Sequence, residues 1–88
     1  MQFDARVYVT LKPAVNDPQG NAVRGSLHML GFAGVEDVRV GKFLTLRVSA
    51  SGEDDARRQV GAMCDKLLAN PVIESYQVEI APAAVRGD

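Results

Sequence analysis

Residues 3–12, FDARVYVTLK, alternate apolar with mostly polar side chains without a break. Successive side chains of a strand point to opposite faces, so this run specifies a half-buried strand. Its odd positions (Phe3, Ala5, Val7, Val9, Leu11) face a core, and its even positions (Asp4, Arg6, Tyr8, Thr10) face a wetter side. Pro13 has no backbone N–H to donate and ends the pairing. Whatever else this chain does, it begins by laying down a strand with one apolar face to cover.

The cover must come from the periodicities that follow. DPQG at 17–20 opens a helix: Asp17 can cap free amides, and Pro18 at the first helical position loses no partner. Val23, Leu27 and Leu30 follow at i, i+4 and i+7. Gly31 ends the helix in the left-handed conformation, with Phe32 placed to pack back on Leu27 in a Schellman arrangement. Gly20 and Gly25 weaken the helix by about 1 kcal/mol each relative to Ala, which suggests a close approach at one or both. Val35–Val40 and Phe43–Val48 then read as a hairpin around Gly41-Lys42. Matching Val38 and Val40 to the apolar side of Leu44, Leu46 and Val48 favours a three-residue loop or a bulge near Gly41. Ser51 to Asp54 has capping-box spacing, and Glu53, Asp54 and Asp55 sit where the helix dipole favours acids. Ala56, Val60, Met63, Leu67 and Leu68 form the buried face of this second helix, which Asn70-Pro71 stops, with Asn70 able to turn left-handed. A last strand runs from Val72 to Ile80.

The order is β-α-β-β-α-β, which predicts an α+β, ferredoxin-like domain: a four-stranded antiparallel sheet with both helices on one face. A single domain is expected over residues 1–81. Residues 82–88, made of Pro, Gly, small and charged residues, read as a disordered tail.

Chemistry is scarce. The one histidine, His28, has no nucleophile at a motif spacing and reads as a structural or surface residue. Cys64, the one cysteine, lies within a turn of Val60, Leu67 and Leu68 and reads as inert packing. Glu53, Asp54 and Asp55 are accounted for by the helix dipole without a metal. DPQG lacks the glycine-rich loop or Lys-Ser/Thr of a phosphate cradle. No catalytic, cofactor-binding or metal residue is therefore expected on this chain. The formal net charge is −1, which argues against a phosphate-backbone partner. The open sheet face, with Tyr8, Asp4, Arg6, Arg39, Arg47 and Glu79, lacks the aromatic platform of RNA-recognition sheets. A copper-chaperone reading fails for want of paired thiols in the first loop. No apolar run reaches the roughly 20 residues of a membrane span, and no signal peptide is visible, so cytoplasm is the expected compartment. Eighty-eight residues support only a small core, and long strands leave edges unpaired, so self-association as a dimer or larger assembly is expected.

The ordered set VYVTLKPAVNDPQGNAV, LG, VRVGK and CDKLLANPVIESYQVE, spanning Val7 to Glu79, resembles the PurS family. Members are small subunits of phosphoribosylformylglycinamidine (FGAM) synthase in purine (IMP) biosynthesis. The resemblance implies a non-catalytic subunit of a carbon–nitrogen ligase of the glutamine amidotransferase type. Such a subunit bridges a PurL-like synthetase, which uses ATP and Mg to convert FGAR to FGAM, and a PurQ-like glutaminase that supplies ammonia. Ammonia released to water at neutral pH is mostly protonated and lost as a nucleophile, so a junction that excludes water has a chemical purpose. The family motifs map onto Asp17, Pro18, Gln19 and Gly20, onto Arg39, Gly41 and Lys42, and onto Asn70 to Glu74. Asp17, Pro18, Asn70 and Pro71 are explained by capping and termination. Gln19, Arg39, Lys42 and Glu74 have no comparable fold-level reason and are the candidate subunit-interface residues. The alternative is an ACT-like regulatory domain that binds a small molecule, which shares the element order. Such domains usually carry a glycine in the first loop, and here none precedes Gly20.

Overall fold

The structure, a computed structural model, describes residues 1–84. It is an α+β fold of strand β1 (Gln2–Leu11), helix α1 (Pro18–Met29), strand β2 (Lys42–Ser49), helix α2 (Glu53–Met63) and strand β3 (Glu74–Pro82). A single π-helical turn, Cys64–Leu68, continues α2. The strands form one antiparallel sheet in the order β2-β1-β3.

The first strand is as the alternation requires. Phe3, Ala5, Val7 and Val9 are buried, and Arg6, Tyr8 and Thr10 are exposed. Register puts Val48, Leu46 and Leu44 beside the odd residues on one side, and Ile80, Val78 and Tyr76 on the other. Helix α2 covers this apolar face mainly over β3 and β1, burying Ala56, Val60 and Cys64.

The four-stranded sheet is corrected to three strands. Residues 35–40 form no strand, and β2 pairs with β1 instead of with them. The reason is competition for backbone groups. The Val40 N–H donates to the Asp17 carboxylate at 2.7 Å, and the Val38 N–H donates to the side chain of Asp37 at 3.0 Å. A segment tied to side chains in this way cannot also serve a ladder.

The second helix also differs in detail. Its N-cap is Gly52, not Ser51, and makes no side-chain cap bond; in place of the expected Ser51–Asp54 capping box, the Ser51 N–H donates to Asp55 at 3.0 Å. Asn70 does not turn left-handed: among the described residues only Gly31 has positive φ. The wide turn at Cys64–Leu68, closed by the Ala69 N–H on the Cys64 carbonyl at 3.0 Å, ends the helix instead. Val72 and Ile73 belong to the turn that follows, so β3 starts at Glu74. The expected tail starts too early as well. Pro82 ends β3, and the Ala83 N–H donates to the Gln2 carbonyl at 3.0 Å. The rest of that expectation, residues 85–88, lies outside the described residues.

Helix α1 has the ends its sequence specifies. Asp17 caps the Gly20 N–H at 2.9 Å, with Pro18 at the first position. Gly31 has φ 98°, and the Gly31 and Phe32 N–H groups donate to the His28 and Leu27 carbonyls, each at 3.0 Å. That is the Schellman pattern. Its placement is not as expected. Gly20 is its only buried residue, and it makes no extensive contact with any strand or with α2.

Candidate subunit interface

The three sequence motifs, distant along the chain, meet around the end of β1. Asp17 is the centre. It is only 4% exposed, and its carboxylate accepts both the Gly20 N–H of its own helix and the Val40 N–H of the VRVGK segment. These two donors, Gly20 first, hold its carboxyl below the usual carboxylate range, with a smaller attraction from Arg39. Gly20 is where the two segments touch most closely: a Cβ there would fall well inside contact distance of the Val38 carbonyl oxygen. Gly41 does the same job against the sheet, since a Cβ there would sit 2.5 Å from the Val9 carbonyl oxygen. Both glycines are thus required by close backbone approach.

The third motif joins from the other side of β1. The Lys12 N–H donates to the Ile73 carbonyl at 2.8 Å. Asn70 organises its own turn: its side-chain oxygen accepts the Val72 N–H at 3.0 Å, and its N–H donates to Glu74 at 2.7 Å. The Glu74 N–H closes the turn on the Asn70 carbonyl at 2.7 Å.

Three of the four candidate interface residues are brought together here. Arg39 donates from Nη2 to the Lys12 carbonyl at 2.9 Å. Lys42 Nζ lies 3.7 Å from Glu74 Oε2, because Val9 pairs with Lys42 and Leu11 with Glu74 across β1. Lys42 remains largely in solvent and Glu74 largely covered, at 58% and 15% side-chain exposure. Gln19 is exposed on the first turn of α1, two residues from Asp17. The expectation that these residues lack fold-level partners is therefore corrected for Arg39, Lys42 and Glu74. Lys42 is largely in solvent, where water screens its charge, so it can change partner at little cost.

The remaining chemistry-bearing residues are structural. His28 Nε2 donates to the Val35 carbonyl at 2.7 Å and ties the end of α1 to the following loop. Cys64 is fully buried, and burial pushes its thiol up, away from the reactive thiolate. Asp55 is occupied by Ser51, Gln59 and Arg58, and Glu53 by Arg57. Among the described residues, no three His, Cys, Asp or Glu groups cluster as a metal site.

One feature of the open sheet face escaped the sequence reading. Phe43 lies on that face, not with the core, and stacks on Tyr8 with ring centroids 5.0 Å apart. Tyr8 and Phe43 are register partners, so the signal was parity: odd residues of β2 share a face with even residues of β1. Tyr8 also donates to Glu79 at 2.7 Å, and Arg47 pairs with Asp4 at 2.9 Å. This face is internally satisfied at each of these positions.

Comparison with known proteins agrees with the motifs. The family model PurS, phosphoribosylformylglycinamidine (FGAM) synthase, matches residues 4–82. The PurS subunit of FGAM synthase from Synechocystis sp. is 50% identical over 78 residues, covering 89% of this chain and 78% of that protein. That of Bacillus subtilis is 46% identical over 78 residues, covering 89% and 92%. Among solved structures, a chain of PurLQS from Thermotoga maritima superposes with a TM-score of 0.84 at 31% identity, covering 92% of this chain and 99% of that one.

Proposed function

The chain belongs to the PurS family of phosphoribosylformylglycinamidine synthase, and from that membership we propose that it works as a joint between the synthetase and glutaminase subunits. Its role is that of the PurS subunit of this ligase complex in purine biosynthesis. The reaction chemistry resides in its partners. The observation that carries the bridging reading is the convergence of DPQG, VRVGK and NPVIE on one partly exposed end of the molecule. Residues 17–20, 39–42 and 70–74 are bonded to one another there, so a partner meets them as one surface. The similarity to a chain of the Thermotoga maritima PurLQS structure supports a place in such an assembly.

The mechanism is positional. Lys42 presents a cation beside the largely covered Glu74 carboxylate, Arg39 adds a second at the Lys12 carbonyl, and Gln19 stands exposed on the first turn of α1. Arginine contacts are over-represented among interface hot spots. A small rigid body held between two enzymes can keep their openings aligned and keep water out, so that ammonia reaches the synthetase unprotonated. The chain also associates with itself: its core is small, and β2 and β3 each leave an edge unpaired. The ACT-like alternative finds no support among the matched proteins, and calorimetry with a panel of amino acids should give no saturable heat.

Reconstitution tests the bridging reading. Adding this chain to the two large subunits should raise glutamine-dependent turnover, while ammonia-dependent turnover depends on it less. Equal glutamine-dependent rates with and without the chain would sink the bridging role.

A further inference from the structure

The open face of the sheet is divided along its length. Even residues of β1 and odd residues of β2 and β3 lie on it, and register sorts them into rungs. At one end Arg47, Asp4 and Ala81 form a rung, and Thr45, Arg6 and Glu79 form the next. Towards the other end come Phe43, Tyr8 and Gln77, and then Thr10 and Ser75. Every charged side chain that the strands place on this face lies in the first half, and the second half carries none. Phe43, Tyr8, Gln77, Thr10 and Ser75 are all exposed.

The two halves are finished differently. In the charged half Arg47 pairs with Asp4, the Ala84 N–H donates to the Asp4 carboxylate at 3.1 Å, and Arg47 Nη2 donates to the Ala84 carbonyl at 3.0 Å. The chain leaving β3 thus turns over that half and is fastened to it. In the uncharged half Phe43 is 57% exposed, yet its ring is fixed. It stacks on Tyr8 with the planes 25° apart, and Tyr8 is held in turn by its bond to Glu79. Apolar side chains scattered singly over a surface need no explanation; these two are gathered and held. Rings ordered before a partner arrives lose little freedom on binding. An aromatic centre without charge, bordered by hydroxyl and amide groups, has the composition of an interface core. It also adjoins the motif end. A Cβ on Gly41 would lie 3.4 Å from Thr10 Cγ2, Lys42 precedes Phe43, and Arg39 sits on the Lys12 carbonyl, two residues beyond Thr10.

We propose that the subunit interface continues from the motif end onto this half of the open face, with Phe43 and Tyr8 at its centre and Arg39 and Lys42 at its border. The proposal rests on the bridging reading and specifies the partner. It is a protein surface on one of the two large subunits, with an uncharged apolar recess for Phe43 and carboxylates placed for Arg39 and Lys42. Single-stranded RNA, which also docks on aromatic residues of a sheet, fits less well. Bases need free ring faces and a basic surround. Here the rings stack on each other, and Asp4 and Glu79 share the face.

Titration of the labelled full chain with each large subunit, the other being present in excess, tests this, and each variant is also melted alone. Phe43→Ala should weaken assembly with at least one large subunit by on the order of thirtyfold, the scale of an interface hot spot. Phe43→Tyr should keep most of the parent's affinity. Thr10→Arg retains both rings and puts a charge into the uncharged half, so it should weaken the same step even if Phe43→Ala melts early. Thr45→Arg, the same charge placed in the other half, should assemble as the parent does. Parent-like assembly of both Phe43→Ala and Thr10→Arg would overturn the proposal and leave the bridging reading standing. Equal weakening by Thr45→Arg would overturn it too, because the position of the charge would then not matter. If polyuridine binds the parent but not Phe43→Ala, the face is a nucleic-acid platform and the proposal is wrong. If the parent itself binds neither large subunit, the bridging reading falls and this proposal falls with it.

Discussion

Asp17 shows how far one side chain can carry a fold. As an N-cap it was legible from DPQG, because capping is a local contact. Its second bond, to the Val40 N–H, is not local, and it is the bond that draws residues 38–40 away from strand pairing. The carboxylate is ionised while it accepts both N–H groups, which lowers its pKa in the folded chain relative to about 3.9 in the unfolded chain. Its contribution to stability is therefore complete above the unfolded value and is lost as pH falls through the lower, folded value. Asp17→Asn should melt at a lower temperature than the parent at pH 7, because the amide's NH₂ cannot accept from Val40. The gap should narrow on acidification below the carboxylate range, where the parent loses the same charge. Asp55 is also lowered, chiefly by the Ser51 N–H, so both proteins keep a common acid-sensitive part. Thermal melts from pH 2 to pH 7 read this; a gap independent of pH would remove the charge from the explanation.

Among the elements, α2 best separates local from tertiary control. Its apolar positions were visible as a stripe, and Ala56, Val60 and Cys64 are buried as the period requires. The period then breaks. The π-helical turn at Cys64–Leu68 shifts the stripe, so that Leu68 stays half-buried while Leu67 is 82% exposed. A simple 3.6-residue reading places both inward, and no residue in CDKLL announces the wider turn. Truncation should report the difference. Val60→Ala removes fully buried methyl groups and should cost on the order of 2 kcal/mol. Leu67→Ala should stay within about 0.5 kcal/mol, as exposed substitutions usually do. Urea melts of the two variants check this, and a larger loss for Leu67→Ala would place that residue in a contact outside the single chain.

At the scale of the whole molecule, the question is which residues serve the fold and which serve a partner. Arg39 and Lys42 do both to different degrees: each has an intrachain bond, yet both are exposed. The Arg39→Ala, Lys42→Ala double variant should change stability modestly, by at most about 2 kcal/mol for one ion pair with its lysine in solvent and one exposed hydrogen bond. Assembly with the synthetase and glutaminase should weaken more visibly, because interface arginines concentrate binding energy. Gel filtration with the partners, beside melts of the isolated variant, separates the two effects. A variant that melts early but assembles normally would assign both residues to the fold alone.

The sequence by itself determined what depends on neighbours a few residues apart. It specified the alternation of β1, the two ends of α1, the acidic start of α2 and the family motifs, because strand parity, capping and glycine conformation are short-range effects. Three things were decided only in three dimensions. Residues 35–40 looked like a strand, but whether a strand forms depends on which donors are free, and Asp17 from 23 residues away takes one of them. The stacking of Phe43 on Tyr8 depends on the register of β2 against β1, which neither segment fixes alone. Helix α1 looked like a cover for its own sheet, but where a helix lies depends on what braces it. Here Asp17, Gly20 and His28 hold it off the sheet. Propensity and pattern are properties of a segment; pairing, register and docking are competitions among segments, and the tertiary structure is where they are settled.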